Sequence, residues 1–397
     1  MKKIIYLFIL LLPFPILALT YPTLHYRNAL IYDLTDNTIL YEYQSEEKTS
    51  IASLTKIITT IVAIESIDNL DETITYTKKM DSLVRWDASV AGLKVGDTIT
   101  YRDLLYASIL PSGADATTAL ALSLSGSIES FVFKMNELAQ KLNMTNTHFV
   151  NVTGLDAEGH YSTAKDILTV LKYALANPTF KEIYTTKEYT LTNNLQVKST
   201  VNNKNSNLDT SRIIGSKTGF TKEAGLCISA LINSNNHDIL IITIGAPTTK
   251  ERYNITDALE LITFLDNNYN NQLIKTKNDI IKTIPVNFSN ISTYDITLKK
   301  DITYYLPNDY SKKDISIKYT GLEELSYYNK KDELIGNIEI YYQDKLIYQE
   351  DIFLNENIKI NILKILLYYK YFIITIVIFI IIIIIIIRKK RIKRLAK

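Results

Sequence analysis

The sequence predicts an α+β domain, then a small β-rich domain, then a C-terminal transmembrane helix. Between residues 21 and 268, segments with the apolar spacing of helices come first, at about 54–62 and 104–122, and strand-like runs follow at 213–221, 226–230 and 239–244. From about Gln272 the pattern changes to short alternating runs, which are typical of strands. From Tyr371 to Ile387 the chain is apolar. At 1.5 Å per residue that run forms about 25 Å of helix, close to the ~30 Å hydrocarbon core of a membrane.

Composition excludes several classes of function. The chain has 397 residues and a net charge of +2, so no whole-chain field favours nucleic acid and no nucleic-acid partner is predicted. The single cysteine, Cys227, rules out an internal disulfide and a cysteine-based zinc site, and we expect it to pack in a strand. The four histidines show no ligand spacing, so neither a metal nor a cofactor is predicted.

The N-terminus has the pattern of a secretory signal peptide. Two lysines precede an apolar run from Ile4 to Leu19, which supplies the charged and apolar regions of such a signal. Ala18 or Thr20 would precede the cut, and neither lies in a good cleavage context. We expect a signal peptide at residues 1–20, with an uncleaved N-terminal anchor as the alternative.

Ser53-Leu54-Thr55-Lys56 leads into a segment with helical apolar spacing. Positions i and i+3 of a helix share a face, so the Lys56 amine can reach the Ser53 hydroxyl at the helix start. The helix dipole favours negative charge near Ser53. A partly desolvated Lys56 beside a second cation would lose its proton easily and act as a base. The alternative is a capping serine followed by a surface lysine.

Ser112-Gly113-Ala114 lies at a break between two predicted helices. The apolar stretch from Leu104 to Leu110 precedes the break, and a second helix follows it. A loop between helices can present the Ser112 hydroxyl to a cleft. The alternative is a turn in which Ser112 only caps the next helix.

Lys217-Thr218-Gly219 lies in a run that is typical of an edge strand lined with small residues. Gly219 allows another backbone to approach closely. An extended substrate could add to this edge, with Lys217 and Thr218 meeting its carboxylate. The alternative for Lys217 is an edge charge that blocks aggregation. Each of the three motifs is weak alone, and their order along one chain is the signal.

The ordered motifs resemble those of the low-molecular-mass penicillin-binding proteins that act as D-alanyl-D-alanine carboxypeptidases. The resemblance extends over most of the chain, through Gly92 to Asp97, Asn151 to Leu155, His160 to Ala164 and Ala224 to Cys227. It implies a transpeptidase/β-lactamase-like domain, an antiparallel sheet flanked by a helical cluster, at residues 21–268. It also implies peptidoglycan stem peptides ending in D-Ala-D-Ala as substrates and β-lactam antibiotics as covalent inhibitors.

The resemblance also implies a role for each motif residue. Ser53 is the nucleophile, Lys56 is its base, and Ser112 passes protons to the leaving D-alanine. The third motif and its surroundings bind substrate: Lys217 and Thr218 hold the terminal carboxylate, Gly219 allows the approach, the amides of Ser53 and Phe220 form the oxyanion hole, and Arg252 helps to neutralise the carboxylate.

Ala114 departs from the family pattern, which usually has asparagine there to hold the lysine and the substrate amide. A slower site, a water in place of the amide, and a dead site all stay open. The alternatives to a carboxypeptidase are a β-lactamase or DD-endopeptidase on the same fold, and a non-catalytic peptidoglycan-binding surface protein. Between Ser112 and Lys217 we find no glutamate in the setting a β-lactamase needs for deacylation.

Residues 269–362 are expected to form the β-rich domain, with a hairpin turn at Gln343-Asp344. In the family such a domain stands the peptidase off the membrane. Residues 363–387 are expected to be the membrane anchor, with tyrosines at one interface. The basic tail at 388–397 then lies in the cytoplasm by the positive-inside rule, and the catalytic domain lies outside the cell.

Overall fold

The computed structural model describes residues 21–202 and 207–395. The predicted signal peptide lies outside the described residues. The chain divides into two compact units, Met1–Asn270 and Asn271–Lys397. The sequence placed this division two residues earlier, between 268 and 269.

The first unit combines a helical cluster with an antiparallel sheet. Its helices are α1 (Lys56–Ser66), α2 (Lys78–Ser82), α3 (Tyr101–Ile109), α4 (Ala114–Ser125), α5 (Ile128–Lys141), α6 (Ala164–Leu175), α7 (Pro178–Thr185) and α8 (Tyr253–Asn268). Its strands are β1 (Asn28–Asp33), β2 (Thr38–Tyr43), β3 (Thr73–Thr75), β4 (Thr98–Thr100), β5 (Glu188–Thr190), β6 (Gln196–Lys198), β7 (Ile213–Thr221), β8 (Gly225–Ser234) and β9 (His237–Ala246).

The main sheet has five strands in the order β2-β1-β9-β8-β7, all paired antiparallel. Strands β8 and β9 are buried over most of their length, which requires cover on both faces. Helix α8 packs against both of these strands, and α6 packs against β9 and β1. Cys227 is buried in β8, as predicted. Strand β7 lies at one edge of the sheet. Its outer side is therefore in a position to pair with another extended chain segment.

Helix α1 is the central helix of the cluster. Every residue from Lys56 to Ala63 is buried, and α3, α4, α5, α6 and α7 all contact the helix. The first residue of α1 is therefore a lysine placed inside the protein.

The second unit is rich in strands and ends in helices. Its elements are β10 (Tyr269–Lys275), which begins at the division, β11 (Ile280–Asn287), β12 (Thr293–Thr297), β13 (Ile302–Pro307), β14 (Ile315–Gly321), β15 (Leu325–Ser326), β16 (Leu334–Tyr342), β17 (Lys345–Phe353), α9 (Ile362–Tyr368) and α10 (Lys370–Leu395). The predicted hairpin at Gln343-Asp344 joins β16 to β17. Isoleucines and leucines from these strands form a separate core.

Helix α10 continues beyond the predicted apolar run. In the described part of the chain it is the one single helix long and apolar enough to cross a membrane, over Lys370–Arg391, with a mean hydropathy of 3.2. None of that segment is buried inside the protein. Its length and composition are those expected of a membrane span.

Candidate active site

One cleft of about 690 Å³ in the first unit brings the predicted site residues together. Its lining includes Ser53, Lys56, Ser112, Thr218, Gly219, Phe220 and Arg252. Lys217 lies directly behind this lining, fully buried, with its Nζ 2.8 Å from Ser112 Oγ. The three motifs are far apart in sequence and meet only in the folded unit.

Ser53 and Lys56 form a close pair at the bottom of the cleft. Ser53 lies in a short 3₁₀ turn, Ala52–Thr55, and α1 begins at Lys56, so the sequence placed the α-helix start a few residues early. Lys56 Nζ is 2.9 Å from Ser53 Oγ and donates to the Thr153 carbonyl at 2.6 Å. The turn positions the serine at the tip and the lysine beneath it.

Burial changes the proton affinity of Lys56. The side chain is 2% exposed, and desolvation lowers its pKa from 10.5 to about 7, against a smaller opposite effect of the Asp115 carboxylate. Loss of water disfavours the charged amine. A large fraction of Lys56 is therefore neutral near pH 7, and its lone pair can take the Ser53 proton.

Ser112 and Lys217 form a second pair in the same cleft. Ser112 follows α3 with a φ of +65°, a left-handed conformation uncommon for serine, and α4 begins two residues later. Lys217 on β7 donates to Ser112 Oγ at 2.8 Å and to the Thr218 carbonyl at 2.6 Å. Burial, and then the charge of Lys56, lower the pKa of Lys217 well below its ordinary value.

Strand β7 approaches the serine turn through Gly219. A Cβ built there would lie 2.8 Å from the Ser53 amide nitrogen and 2.9 Å from Ala52 Cβ, so only glycine fits. The approach brings the Ser53 and Phe220 backbones to one end of the cleft. Backbone amides beside a nucleophile can stabilise an oxyanion, and this role for the amides of Ser53 and Phe220 stays a prediction.

Thr218 and Arg252 line the end of the cleft that lies along the edge strand β7. Thr218 Oγ1 is 2.5 Å from Thr200 Oγ1, and Arg252 Nη2 donates to the Thr200 carbonyl at 2.7 Å. Arg252 Nη1 is buried with no hydrogen-bond partner among the described residues, and burial lowers the pKa of this guanidinium. An unpaired cationic donor beside two hydroxyls suits a carboxylate.

Asp115 is a buried carboxylate that sequence analysis did not single out. It is 3% exposed and accepts the amides of Ala91, Gly92 and Leu93 at 2.8–3.1 Å. These bonds tie the start of α4 to a loop whose residues Asp87 to Ser89 line the cleft. The sequence signal was an acid directly after the second motif.

His160 and Thr55 support the nucleophile turn from behind. His160 Nδ1 accepts from the Val150 amide at 3.2 Å, so Nε2 carries the proton and donates to Thr55 Oγ1 at 2.9 Å. Thr55 in turn donates to the Ala52 carbonyl at 2.9 Å. Burial lowers the pKa of His160 to about 4, which keeps the ring neutral. Its segment was recognised in the sequence, without a role for the histidine.

Ala114 is buried at the first residue of α4, where its amide donates to the Ser89 carbonyl at 2.7 Å. Its methyl group has no polar atom to offer either lysine. In this chain the second partner of Lys56 is instead the Thr153 carbonyl, 2.6 Å away. A backbone group thus holds the amine.

One group of metal-ligand side chains lies among the described residues, at the end of β1. His237 Nδ1 is 2.7 Å from Asp33 Oδ2 and 3.9 Å from Asp36 Oδ2. The other Asp33 oxygen accepts the amides of Thr35 and Asp36. These bonds fix the β1–β2 turn, which gives the group a structural role.

Comparison with known proteins gives one consistent result. Residues 17–248 match the family model of D-alanyl-D-alanine carboxypeptidases, and residues 269–360 match that of the penicillin-binding protein 5 C-terminal domain. D-alanyl-D-alanine carboxypeptidase DacF of Bacillus subtilis is 27% identical over 84% of this chain and 86% of its own. DacD of Escherichia coli is 30% identical over 82% of this chain and 85% of its own.

A solved structure has the same architecture. Penicillin-binding protein 6B from Escherichia coli superposes with a TM-score of 0.63 at 25% sequence identity, covering 84% of this chain and 97% of that one. Both the catalytic α/β unit and the β-rich unit fall inside the matched region. The transpeptidase/β-lactamase-like fold predicted from the sequence is confirmed.

Proposed function

The chain belongs to the D-alanyl-D-alanine carboxypeptidase family and is a serine peptidase of that activity, and from this premise we propose that Ser53 is its acylated residue. The observation that carries the assignment is the 2.9 Å distance from Ser53 Oγ to the amine of Lys56. Because burial lowers the pKa of that amine to about 7, the pair can exchange a proton at neutral pH.

Acylation begins when neutral Lys56 takes the Ser53 hydroxyl proton. Ser53 Oγ then attacks the carbonyl carbon between the two D-alanines of the substrate. The negative charge that develops on the carbonyl oxygen meets the amides of Ser53 and Phe220. Losing one such donor typically slows a reaction by about 100-fold or more.

The leaving D-alanine needs a proton on its amine. Ser112 supplies this proton in the proposed mechanism and is restored by Lys217, which donates to Ser112 Oγ. Deacylation reverses these transfers: a water attacks the acyl carbon, Lys56 returns a proton to Ser53 Oγ, and the water proton goes to Ser112 and Lys217. The two lysines then regain their starting states.

The terminal carboxylate of the substrate occupies the open end of the cleft. Thr218 and Arg252, which line the cleft, and Lys217 directly behind it are the proposed donors for this carboxylate. A carboxylate beside Lys217 favours its charged form and opposes the effect of burial. This end supports a carboxypeptidase, because recognition of a free terminal carboxylate restricts cutting to the last residue.

We assign peptidoglycan stem peptides ending in D-Ala-D-Ala as substrates and β-lactams as inhibitors that acylate Ser53. We also assign α10 as a single membrane span, with the catalytic unit outside the cell and the basic end of the helix in the cytoplasm. Arg388, Lys389, Lys390 and Arg391 at one end of the apolar run support that orientation.

The test is intact-mass analysis and peptide mapping of the protein after exposure to a penicillin. We expect one adduct on the peptide that contains Ser53, and none in Ser53→Ala. In parallel, release of D-alanine from a peptide ending in D-Ala-D-Ala should disappear in Ser53→Ala. An adduct on another residue would refute the assignment. Rapid penicillin loss without an adduct would favour the β-lactamase, and a folded protein that does neither would favour the non-catalytic alternative.

A further inference from the structure

Five aromatic side chains form one cluster where the β-rich unit meets its terminal helices. Phe288 is the centre, with ring centroids 5.2 Å from Tyr368, 6.3 Å from Tyr369 and 6.4 Å from Tyr327. Tyr328 packs on Tyr327 with centroids 4.0 Å apart. We call these five residues the aromatic collar. Phe288, Tyr327 and Tyr328 come from the strand region of the unit, Tyr368 is the last residue of α9, and Tyr369 follows it.

Much of the collar faces outward. Tyr328 and Tyr368 are each 70% exposed, and Tyr369 is 45% exposed. The neighbouring side chains Ile291 and Ile360 are also exposed. A group of exposed apolar and aromatic side chains of this kind on a protein surface indicates an interaction site.

The collar is fixed to the β-rich unit by backbone bonds. Asn361 N donates to the Phe288 carbonyl at 2.7 Å, and Asn361 Nδ2 donates to Asn290 Oδ1 at 2.8 Å. Ser289 and Ile360 form an antiparallel bridge beside these bonds. The entry into α9 is therefore held on the unit, with no free linker between the β-strands and the helix.

Phe288 has a φ of +57°, in the left-handed region that a bulky residue rarely adopts. Such a conformation persists only when its surroundings hold it there, and it often marks a functional position. Here the unusual backbone turns the Phe288 ring onto the two tyrosines that precede α10. The packing of the collar is therefore what holds the Phe288 backbone in this conformation.

We propose that the aromatic collar lies in the headgroup region of the membrane, so that the β-rich unit rests on the lipid surface. The inference depends on the proposed membrane span. That span, Lys370–Arg391, has 22 residues, or about 33 Å of helix, which matches the ~30 Å hydrocarbon core and places Lys370 at the interface. Tyr369 is the preceding residue, and the rings of Phe288 and Tyr368 pack against it. Tyr327 and Tyr328 continue the cluster from Phe288, which extends the collar along the β-rich unit.

Tyrosine suits this depth because its ring is apolar and its hydroxyl is polar. The sequence predicted such a belt only from the tyrosines of the anchor. The structure adds Phe288, Tyr327 and Tyr328, which come from the β-rich unit. The consequence is a β-rich unit in direct contact with lipid headgroups, which is compatible with the predicted role of this unit in standing the peptidase off the membrane.

The test places a tryptophan at Tyr328 in the full chain, reconstituted in lipid nanodiscs that contain brominated lipid. Trp86, the single tryptophan of the chain, is first replaced with Trp86→Phe. One control is Leu346→Trp on β17. The Phe353 end of this strand is the one near the collar, because the chain that follows it bonds back to Asn329, the neighbour of Tyr328. Leu346 lies roughly 23 Å farther along the strand at 3.3 Å per residue. The other control is Ile376→Trp inside α10.

We expect Tyr328→Trp to be quenched at least about threefold more strongly than Leu346→Trp, because lipid bromines reach the interface and not the far end of the hairpin. Quenching of Ile376→Trp without quenching of Tyr328→Trp would overturn the collar and leave the anchor in place. No quenching of Ile376→Trp would overturn the anchor and the collar together. The release of D-alanine, measured in the same samples, reports on the enzyme separately.

Discussion

The rate at which Ser53 is acylated should follow the titration of Lys56. The drop in pKa from 10.5 to about 7 corresponds to about 5 kcal/mol at 1.36 kcal/mol per pH unit, and it is the net effect of burying the amine and of the smaller, opposite effect of the Asp115 charge. At pH 7 about half of Lys56 is neutral. An exposed lysine with its usual pKa would be neutral on the order of 1,000-fold less often.

Below pH 7 the acylation rate should therefore fall about tenfold for each pH unit, and above pH 7 it should approach a plateau. The measurement is the rate of adduct formation with a penicillin, followed by intact mass between pH 5 and pH 9. Lys56→Ala should slow acylation by at least about 100-fold, as expected for a lost general base.

Lys56→Arg is the matched control, because a guanidinium keeps its charge across this range and cannot act as the base. It should be as slow as the alanine variant and should lose the inflection near pH 7. Wild-type acylation that is flat from pH 5 to pH 9 would refute the titration argument. A Lys56→Ala protein acylated at the wild-type rate would refute the assignment of the base.

Four further changes test the surroundings of the pair. Ala114→Asn should not reduce the release of D-alanine, since the Lys56 amine already has its partners, and a large loss would show a site organised differently from the family. Gly219→Ala should slow acylation by at least about tenfold with the fold retained, because its Cβ would lie 2.8 Å from the Ser53 amide of the proposed oxyanion hole; an unchanged rate would contradict this. Asp115→Asn should shift the acid limb of the rate profile to lower pH, since the carboxylate raises the pKa of Lys56, and an unmoved limb would count against that influence. The free energy of unfolding in urea should fall by about 3 kcal/mol between pH 6.5 and pH 4, because the unfolded chain binds the His160 proton first, and His160→Gln should remove that slope; an equal slope in both proteins would show another origin.

The sequence predicted the elements that carry the three motifs and the hairpin of the β-rich unit, because these depend on local signals. The hairpin at Gln343-Asp344 and the edge strand β7 are examples, since alternation and turn residues determine both. The short strand β15 was missed, because two residues carry no periodic pattern. The 3₁₀ turn before Lys56 was also missed, because its geometry depends on Gly219 and His160 packing against it from other parts of the chain.

The difference between local signals and tertiary packing also explains why motif spacing predicted which residues would meet but not their pKa values. Ser53 and Lys56 are three residues apart, and spacing alone is equally compatible with a capping serine and a solvated lysine. The pKa of Lys56 falls because α1 is enclosed by five other helices. The four residues of the motif carry no information about that enclosure. Lys217 is buried by the neighbouring strand β8 and by Ser112. Burying two amines in one cleft opposes folding wherever they are charged, and the surrounding core has to offset this. The chemistry of the site is thus a property of the packed unit, and a substitution in that packing can change the base without touching the motif.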